Sequence, residues 1–261
     1  MTVFFHELKR GRISLLIWSA AIAFMLAICV IIYPEMKSQM GDISAMFADM
    51  GSFSEAFGMD KINFGSFTGF FGVECGNVLG LGGAFFAAII GISALSKEEK
   101  EHTAEFLLTH PVSRTAVIEQ KLFAVFAQIT ILNIAVAAIT AVSIVAIGED
   151  ADVKTVFLLF LSYFILQIEI AAITFGISAF IKGNGLGIGL GIAVVFYFLN
   201  IIANLTENTE FLKYLTPFGY TEGSDIISSG KIEIKYLSVG LLFTALGITA
   251  AFIKYTKKDI G

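Results

Sequence analysis

Two carboxylates lie inside otherwise apolar stretches of the chain, and they are the first candidates for chemistry. Glu169 lies near the middle of one apolar run, and Glu74 lies near the end of another. A charge at the centre of a membrane helix costs roughly 2.5–3.5 kcal/mol, so Glu169 should face the protein interior and find a partner, or be protonated. It is either a packing residue hydrogen-bonded to Gln128 or Asn133, or a cavity residue linked to proton movement. The same two roles are open for Glu74.

Other reactive groups are scattered along the chain. The three histidines (His6, His102 and His110) and two cysteines (Cys29 and Cys75) do not have metal-ligand spacing. The sequence contains no HExxH, GxSxG or GxxxxGK[ST] motif, which excludes the common zinc-protease, serine-hydrolase and ATP-phosphate sites. The net charge of −5 gives no basic surface for nucleic acid. We therefore expect no catalytic site, no metal and no cofactor bound by this chain.

A charged segment between two apolar runs, residues 97–114, carries the most informative pattern. Four of its residues share one helical face: Ala104, Leu107, Leu108 and Pro111. Three acidic residues fall on the other side: Glu98, Glu101 and Glu105. Pro111 should end the helix near residue 110, because proline disfavours helical geometry in the residue before it. The segment is either a connector lying on the membrane surface or a helix that docks into a groove of a soluble partner.

The elements that must position these residues are long apolar helices. Hydrophobic residues make up 56% of the 261 residues and charged residues 15%, against about 45–50% and about 25% in soluble proteins. A membrane helix needs about 20 apolar residues, because its backbone polar groups must be bonded internally. Six stretches qualify: 13–34, 70–96, 116–148, 155–181, 185–206 and 236–254. The predicted fold is an all-α integral membrane protein, a six-helix transmembrane bundle that forms one domain over residues 1–261.

The connecting segments indicate the orientation of the bundle. With the N-terminus inside, eleven of the 17 lysines and arginines fall on the cytoplasmic side, so both termini are predicted to be cytoplasmic. The outer segment 35–68 has Ile43, Met46, Phe47 and Met50 at helical spacing, which predicts a short amphipathic helix at the interface. The outer segment 204–235 contains Pro217 and several glycines, which predicts a broken or re-entrant hairpin before the last span.

A ladder of small residues marks the second span, one every four residues. Its members are Gly72, Gly76, Gly80, Ala84 and Ala88. Such a stripe lets helix backbones approach closely. It can serve packing within the subunit, which we favour, or a contact surface between two copies of the chain.

The charged segment also carries a family resemblance. Residues 101–114 read EHTAEFLLTHPVSR, and Lys121 follows seven residues later. This run resembles the signature of the permease subunits of type-2 ABC exporters, with His102 where glycine is commoner. The resemblance extends over almost the whole chain, from its basic N-terminal segment to its basic tail. It implies a cytoplasmic coupling helix over about residues 98–110, seated in a cleft of an ATP-binding subunit, and an amphipathic elbow helix over Thr2–Arg12.

The resemblance further implies site residues and partners. The residues that it implies for contact with the ATPase are Glu98, Glu101, Thr103, Glu105, Leu107, Leu108, Pro111 and Arg114. Two permeases, identical or different, and two ATP-binding subunits would form the exporter, and the ATP and magnesium would be bound by the partner subunits. The expected location is a bacterial or archaeal plasma membrane.

Several cargoes and mechanisms fit the sequence. A chain rich in Phe and Met with small outer loops favours an apolar or amphipathic cargo, and we prefer amphipathic peptides because the chain resembles phenol-soluble-modulin exporters. Small hydrophobic drugs, lipid-linked glycans or sodium are alternatives for the same architecture. A secondary transporter driven by an ion gradient would use Glu169, but it should show repeat symmetry, and no convincing internal repeat is found. A scaffold or immunity protein would need no coupling motif.

Overall fold

The computed structural model describes residues 2–51, 54, 56, 63, 65–100 and 113–257, with the side chains of 38–49, 97–100 and 207 left undescribed. Its α-helices are α1 (Thr2–Asp49), α2 (Phe67–Cys75), α3 (Gly82–Lys100), α4 (Arg114–Ile147), α5 (Val153–Ser178), α6 (Leu186–Leu205), α7 (Gly223–Ser229) and α8 (Ile234–Lys257). A π-helical segment spans Gly76–Leu81, and 3-10 helices span Glu207–Tyr214 and Pro217–Tyr220. The described residues contain no strand, and the predicted all-α fold is confirmed.

Six helical stretches are long and apolar enough to cross a membrane. They are Thr2–Lys37, Phe67–Ser96, Arg114–Ile147, Val153–Ser178, Leu186–Leu205 and Ile234–Lys257, and they overlap the six predicted spans. Local signals set several of their ends. Ser113 caps α4 by accepting a hydrogen bond from the Ala116 N–H at 3.2 Å, and Gly148 ends the same helix with a left-handed φ of 67°.

The first helix differs from the prediction in its continuity. We expected a separate elbow over Thr2–Arg12, then a span, then a short helix around Ile43–Met50. One helix, α1, instead runs from Thr2 to Asp49 and includes Pro34. The helical spacing continues through all three parts, and a proline can be accommodated inside a helix with a local kink. The separate elbow is not confirmed, and Met50 lies in the turn that follows α1.

The second span is interrupted by the π-helical segment. The ladder of small residues lies along it and faces neighbouring helices of the same chain. A Cβ atom on Gly76 would lie 2.9 Å from the Tyr163 hydroxyl, and one on Gly80 would lie 2.9 Å from the Tyr163 ring. Ala84 and Ala88 have no exposed surface. These contacts support the first of the two interpretations, packing within the subunit.

Ion pairs and hydrogen bonds identify the two ends of the bundle. At one end Glu7 near the start of α1 pairs with Lys121 of α4, and Arg114 at the start of α4 bonds to the carbonyl oxygen of Thr256 near the end of α8. At the other end Lys37 pairs with Glu149 at 2.7 Å. We call these the terminal end and the opposite end. The first and last helices therefore begin and finish at the same end of the bundle.

The segment between α6 and α8 forms a broken hairpin at the opposite end, as predicted. It consists of the two 3-10 helices followed by α7. The second 3-10 helix is buried, with Phe218 and Tyr220 only 4% and 2% exposed. Thr216 precedes it and donates its hydroxyl to the Phe196 carbonyl of α6 at 2.8 Å. Whether this hairpin re-enters the membrane stays a prediction.

Candidate functional site

We call the predicted coupling helix, about residues 98–110, the docking segment. The lysine that follows it, Lys121, is almost fully buried at the terminal end. Lys121 is 2% exposed, and its Nζ donates to Glu7 Oε1 at 2.7 Å and to the Ala94 carbonyl oxygen at 3.0 Å. The side chain therefore joins α1, α3 and α4 at one point. A buried charge is tolerated when it is paired and hydrogen-bonded, so this junction holds the three helices in a defined arrangement.

The neighbouring Gln120 caps the first helix. Its Oε1 accepts from the backbone N–H groups of Val3 at 3.2 Å and Phe4 at 3.4 Å. The first N–H groups of a helix have no partner within it, so a side-chain acceptor stabilises this helix end. Two turns further along, Gly11 lies against the Gln128 side chain, where a Cβ atom would collide. The first turns of α1 thus pack against the first half of α4, the helix that follows the docking segment.

Of the eight predicted coupling residues, two fall in the described helices. Glu98 lies in the last turn of α3, and Arg114 opens α4 and donates to the Thr256 carbonyl oxygen at 3.5 Å. The other six lie outside the described residues: Glu101, Thr103, Glu105, Leu107, Leu108 and Pro111. The helix that follows the docking segment, α4, therefore contacts α1 and α3 through Lys121 and α8 through Arg114.

Glu169 is buried within the bundle, as expected from its place in the sequence, and is 2% exposed. Its Oε2 accepts a hydrogen bond from the Tyr220 hydroxyl at 2.8 Å, and its other oxygen has no partner among the described residues. Gly240 of α8 lies directly against the carboxyl group, where a Cβ atom would collide. Glu169 therefore connects α5 with the broken hairpin and with the last span.

The predicted partners of Glu169 were wrong. Asn133 donates to Gln167 Oε1 at 2.7 Å, and Gln128 donates to the Ala124 carbonyl oxygen of its own helix at 3.2 Å. Gln167 lies two residues before Glu169, which is about 200° around a helix, so the two side chains leave α5 on opposite sides. Gln167 also donates to the Leu79 carbonyl at 3.4 Å, inside the π-helical segment. This polar link between α4, α5 and the second span was not anticipated.

Glu74 lies half-buried in α2, beside the first helix. The Cys29 thiol donates to Glu74 Oε2 at a distance of 3.6 Å between sulfur and oxygen. The contact joins α1 to α2, and it agrees with the packing role more than with a role in an open path. Cys75, the next residue, is fully buried. Neither cysteine forms a disulfide.

A polar cavity of about 60 Å³ lies at the opposite end of the bundle, between the second span, α5, α6 and the broken hairpin. Glu222 lines it and accepts hydrogen bonds from the side-chain amides of Asn200 at 3.1 Å and Asn204 at 2.9 Å. Burial raises the pKa of Glu222, and the Asn204 and Asn200 amides act in the opposite direction. The cavity is thus a place where a partly buried carboxyl group is held by two side-chain amides.

Sequence reasoning missed this cavity, although a signal for it exists. Asn200 and Asn204 lie four residues apart near the end of an apolar span, so they share one helical face. Two amides at that spacing predict a polar partner on a neighbouring element. The partner, Glu222, is one of several acidic residues in the hairpin, and nothing in the sequence distinguishes it from an ordinary surface residue.

The described part of the chain contains no candidate metal site. Within the described ranges no three His, Cys, Asp or Glu residues lie close enough to hold a metal ion. Two of the three histidines, His102 and His110, lie outside those ranges. The expectation of a chain without metal or catalytic cofactor stays a prediction.

Comparison with known proteins identifies the family. No curated protein matches the chain. The family model described as "ABC-2 family transporter protein" matches residues 1–260, which is almost the whole sequence. A transporter family is expected to span the membrane, and the six long apolar helices of this chain agree with that expectation. The chain therefore belongs to the ABC-2 transporter family, whose members are membrane-spanning permease subunits of ABC exporters that work with an ATP-binding partner.

Proposed function

We propose that this permease exports amphipathic peptides and is driven through the segment 98–110 by separate ATP-binding subunits. The observation that carries the coupling part is the buried junction of Lys121 with Glu7 and Ala94 at the terminal end. It lies on the helix that directly follows the docking segment. A movement of that segment would therefore act on three spans at once.

The flanking contacts suggest how the movement is passed on. In the sequence, the segment begins at the end of α3 and is followed by α4. Gln120 and Lys121 connect α4 to α1, and Arg114 connects it to α8. The permease then supplies two packings of its spans, and the ATP-bound partner biases which of them is populated. Cargo enters from the cytoplasm or the inner leaflet in one packing and leaves outward in the other.

The rest of the assembly follows from the same proposal. Two permeases, identical or different, join two ATP-binding subunits in a bacterial or archaeal plasma membrane, with both termini of the permease in the cytoplasm. ATP and magnesium are bound by the partner subunits, and this chain has no catalytic site and binds no cofactor. Small hydrophobic drugs, lipid-linked glycans and sodium are the alternative cargoes for this architecture.

A second candidate mechanism rests on Glu169. Its buried carboxyl group, with one oxygen lacking a partner among the described residues, favours a carrier in which an ion gradient drives transport through this residue. We rank it second because Tyr220 and Gly240 enclose the carboxyl group closely. Transport that persists when the partner ATPase is inactivated would favour this carrier and contradict the exporter.

The coupling proposal is tested by copurification. The double substitution Leu107→Glu and Leu108→Glu places charge on the apolar face of the docking segment, and it should abolish copurification of the ATP-binding subunit. Phe211→Glu is the matched control, because Phe211 is apolar, 61% exposed and located in the hairpin at the opposite end. A complex that forms equally well with the double variant contradicts the proposed coupling helix.

The cargo proposal needs the reconstituted complex. We expect amphipathic peptides to stimulate its ATPase activity more than hydrophobic drugs, glycolipids or sodium do, when each is tested over the same concentration range. The stimulation should disappear in the double variant that cannot bind the ATPase. Equal or stronger stimulation by a drug, a glycolipid or sodium contradicts the peptide assignment and leaves the exporter class untouched.

A further inference from the structure

The polar cavity at the opposite end is built from several elements that are far apart in the sequence. Gly72 and Gly76 of the second span, Tyr163 of α5, Asn200 of α6 and Glu222 of the hairpin all line it. Its volume of about 60 Å³ has room for a few water-sized groups, and therefore for the end of a side chain or head group but not for a whole cargo.

Two of the residues that line this cavity, Glu222 and Asn200, carry oxygen acceptors. The Glu222 carboxylate receives the amides of Asn200 and Asn204, which fixes its position. Asn200 is 8% exposed, and its Oδ1 has no hydrogen-bond partner among the described residues. A buried acceptor without a donor costs free energy. The side chain is therefore held in place on its amide nitrogen and left unsatisfied on its oxygen, next to a carboxylate.

Aromatic rings form a large part of the wall. Tyr163, Tyr197 and Phe218 line the cavity, and Tyr197 packs edge-on against Phe218 with 5.5 Å between the ring centroids. The faces of aromatic rings attract cations, and the attraction increases where water is excluded. A carboxylate, an unpartnered amide oxygen and aromatic rings all favour a positively charged occupant.

A lysine of the same hairpin pairs with another carboxylate. Lys213 Nζ lies 3.3 Å from Asp225 Oδ2, whereas the hydrogen-bond partners of Glu222 among the described residues are the two neutral amides. The charge of Lys213 also lowers the pKa of Glu222, but less than the Asn204 and Asn200 amides do, so the carboxylate can still accept from a cationic ligand. A hard metal ion such as Ca²⁺ takes six to eight oxygen ligands with carboxylates prominent among them, and Glu222 is the one carboxylate among the described residues that line the cavity.

We propose that this cavity binds a primary ammonium group. An ammonium is compact and has three N–H donors, which suits Glu222 and Asn200 Oδ1 together with the aromatic rings. Where the proposed export of amphipathic peptides also holds, the group is the side chain of a lysine or the free amine of the cargo, bound on the outward part of its route. The ammonium site itself does not require that function.

Equilibrium binding to the full-length permease in lipid nanodiscs tests the site. The probe is n-butylammonium, with n-butanol as its neutral counterpart and sodium as a competitor. The binding of each is measured by calorimetry. We expect saturable binding of n-butylammonium only, weakened about 10- to 100-fold in Glu222→Gln because a hydrogen bond to a charged group is lost. Glu210→Gln is the matched control, since Glu210 lies in the same hairpin but bonds to Tyr236 outside the cavity, and it should leave binding unchanged.

A second pair of variants keeps the test valid if Glu222→Gln folds poorly. Tyr197→Leu removes an aromatic face and should weaken binding about 2- to 30-fold, whereas Tyr197→Phe keeps the face and should bind as the wild type does. Equal binding of n-butanol, no saturable binding, or sodium that displaces the probe at equal concentration overturns the ammonium site.

The two proposals fail in different ways. Binding of n-butylammonium needs only the permease, so its absence beside a peptide-stimulated ATPase overturns the cavity proposal alone. Binding that is present while no ATPase activity responds to peptides supports the cavity and contradicts the proposed cargo.

Discussion

The two ends of the bundle treat a buried charge differently. At the terminal end, Lys121 meets the carboxylate of Glu7 at 2.7 Å and a backbone carbonyl at 3.0 Å. At the opposite end, the Glu222 carboxylate meets two neutral amides at 3.1 and 2.9 Å, beside a cavity. One charge is neutralised by the fold, and the other is only positioned by it.

The two arrangements suit different tasks, one in holding helices together and the other in binding a cation. A cation paired with its counter-charge has a single preferred geometry, which suits an element that must transmit movement without yielding. A carboxylate held by neutral donors keeps most of its attraction for a cation. These contacts support the two proposed roles, coupling at the terminal end and ammonium binding at the opposite end.

The largest effect is expected from breaking the pair at the terminal end. Lys121→Met should lower the free energy of unfolding by about 2–3 kcal/mol, which is less than the about 3–5 kcal/mol of a fully buried pair because Glu7 is 20% exposed and can turn to water. Thermal unfolding of the detergent-solubilised protein measures it. Lys9→Met, at an exposed position of α1, the helix that carries Glu7, should change stability by less than about 0.5 kcal/mol. A variant at Lys121 as stable as the wild type would show that this pair does not hold the terminal end.

The next effect concerns the wall between the second span and α5. Gly80→Ala places a methyl group 2.9 Å from the Tyr163 ring, which also lines the cavity, and should cost about 1–2 kcal/mol through forced repacking. Gly191→Ala is the control, because no atom lies within 4 Å of its added Cβ, and it should be neutral or stabilising by up to about 1 kcal/mol. Equal unfolding temperatures for the two variants would contradict the close packing described for the ladder.

An effect of similar size is expected at Glu169. Tyr220→Phe removes its hydrogen-bond donor and should cost about 1–2 kcal/mol of unfolding free energy. Glu169→Gln should cost less, because the amide oxygen still accepts from Tyr220. Transport assays on the same variants separate the two interpretations of this residue. Loss of transport in Glu169→Gln without loss of stability would favour the ion-driven carrier.

The smallest effect is a pH dependence at the opposite end. Burial raises the pKa of Glu222, so the folded protein retains this proton at pH values where the unfolded chain has released it. Stability from this group should therefore fall as the pH rises from below the ordinary value of 4.5 to above the raised pKa. Unfolding temperatures measured across that range should decline less in Glu222→Gln. Added n-butylammonium should reduce the decline in the wild type, and an unchanged slope in both cases would contradict a held carboxylate.

The spans were predictable, since each is a run of apolar residues long enough to cross a bilayer. The burial of Glu169 was predictable too, because a carboxyl group at that depth is tolerated only inside the bundle. Its partner was not. Helical spacing shows which residues share a face, but it does not show how the neighbouring helices are rotated, so Tyr220 could not be distinguished from Gln128 or Asn133.

The docking segment and the cavity differ in how far the sequence could indicate them. The docking segment could be predicted because its apolar residues lie within one short stretch of sequence, and its coupling role stays a prediction. The cavity was missed because Tyr163, Asn200 and Glu222 come from three separate elements, and only the fold brings them together. The π-helical segment was missed as well, because no single residue type announces it.

That π-helical segment has a consequence for the second span. A π-turn holds one residue more than an α-turn, so the halves on either side of Gly76–Leu81 are offset in rotation. Deleting one residue there would restore an α-helix and turn the outer half by about 100°. Gly72 would then leave Ile227, which it now meets, while α3 stayed in place. Cysteines introduced at positions 72 and 227 should form a disulfide in the full-length protein and fail to form it after the deletion. The π-helical segment would then be shown to set which neighbours the side chains of α2 face.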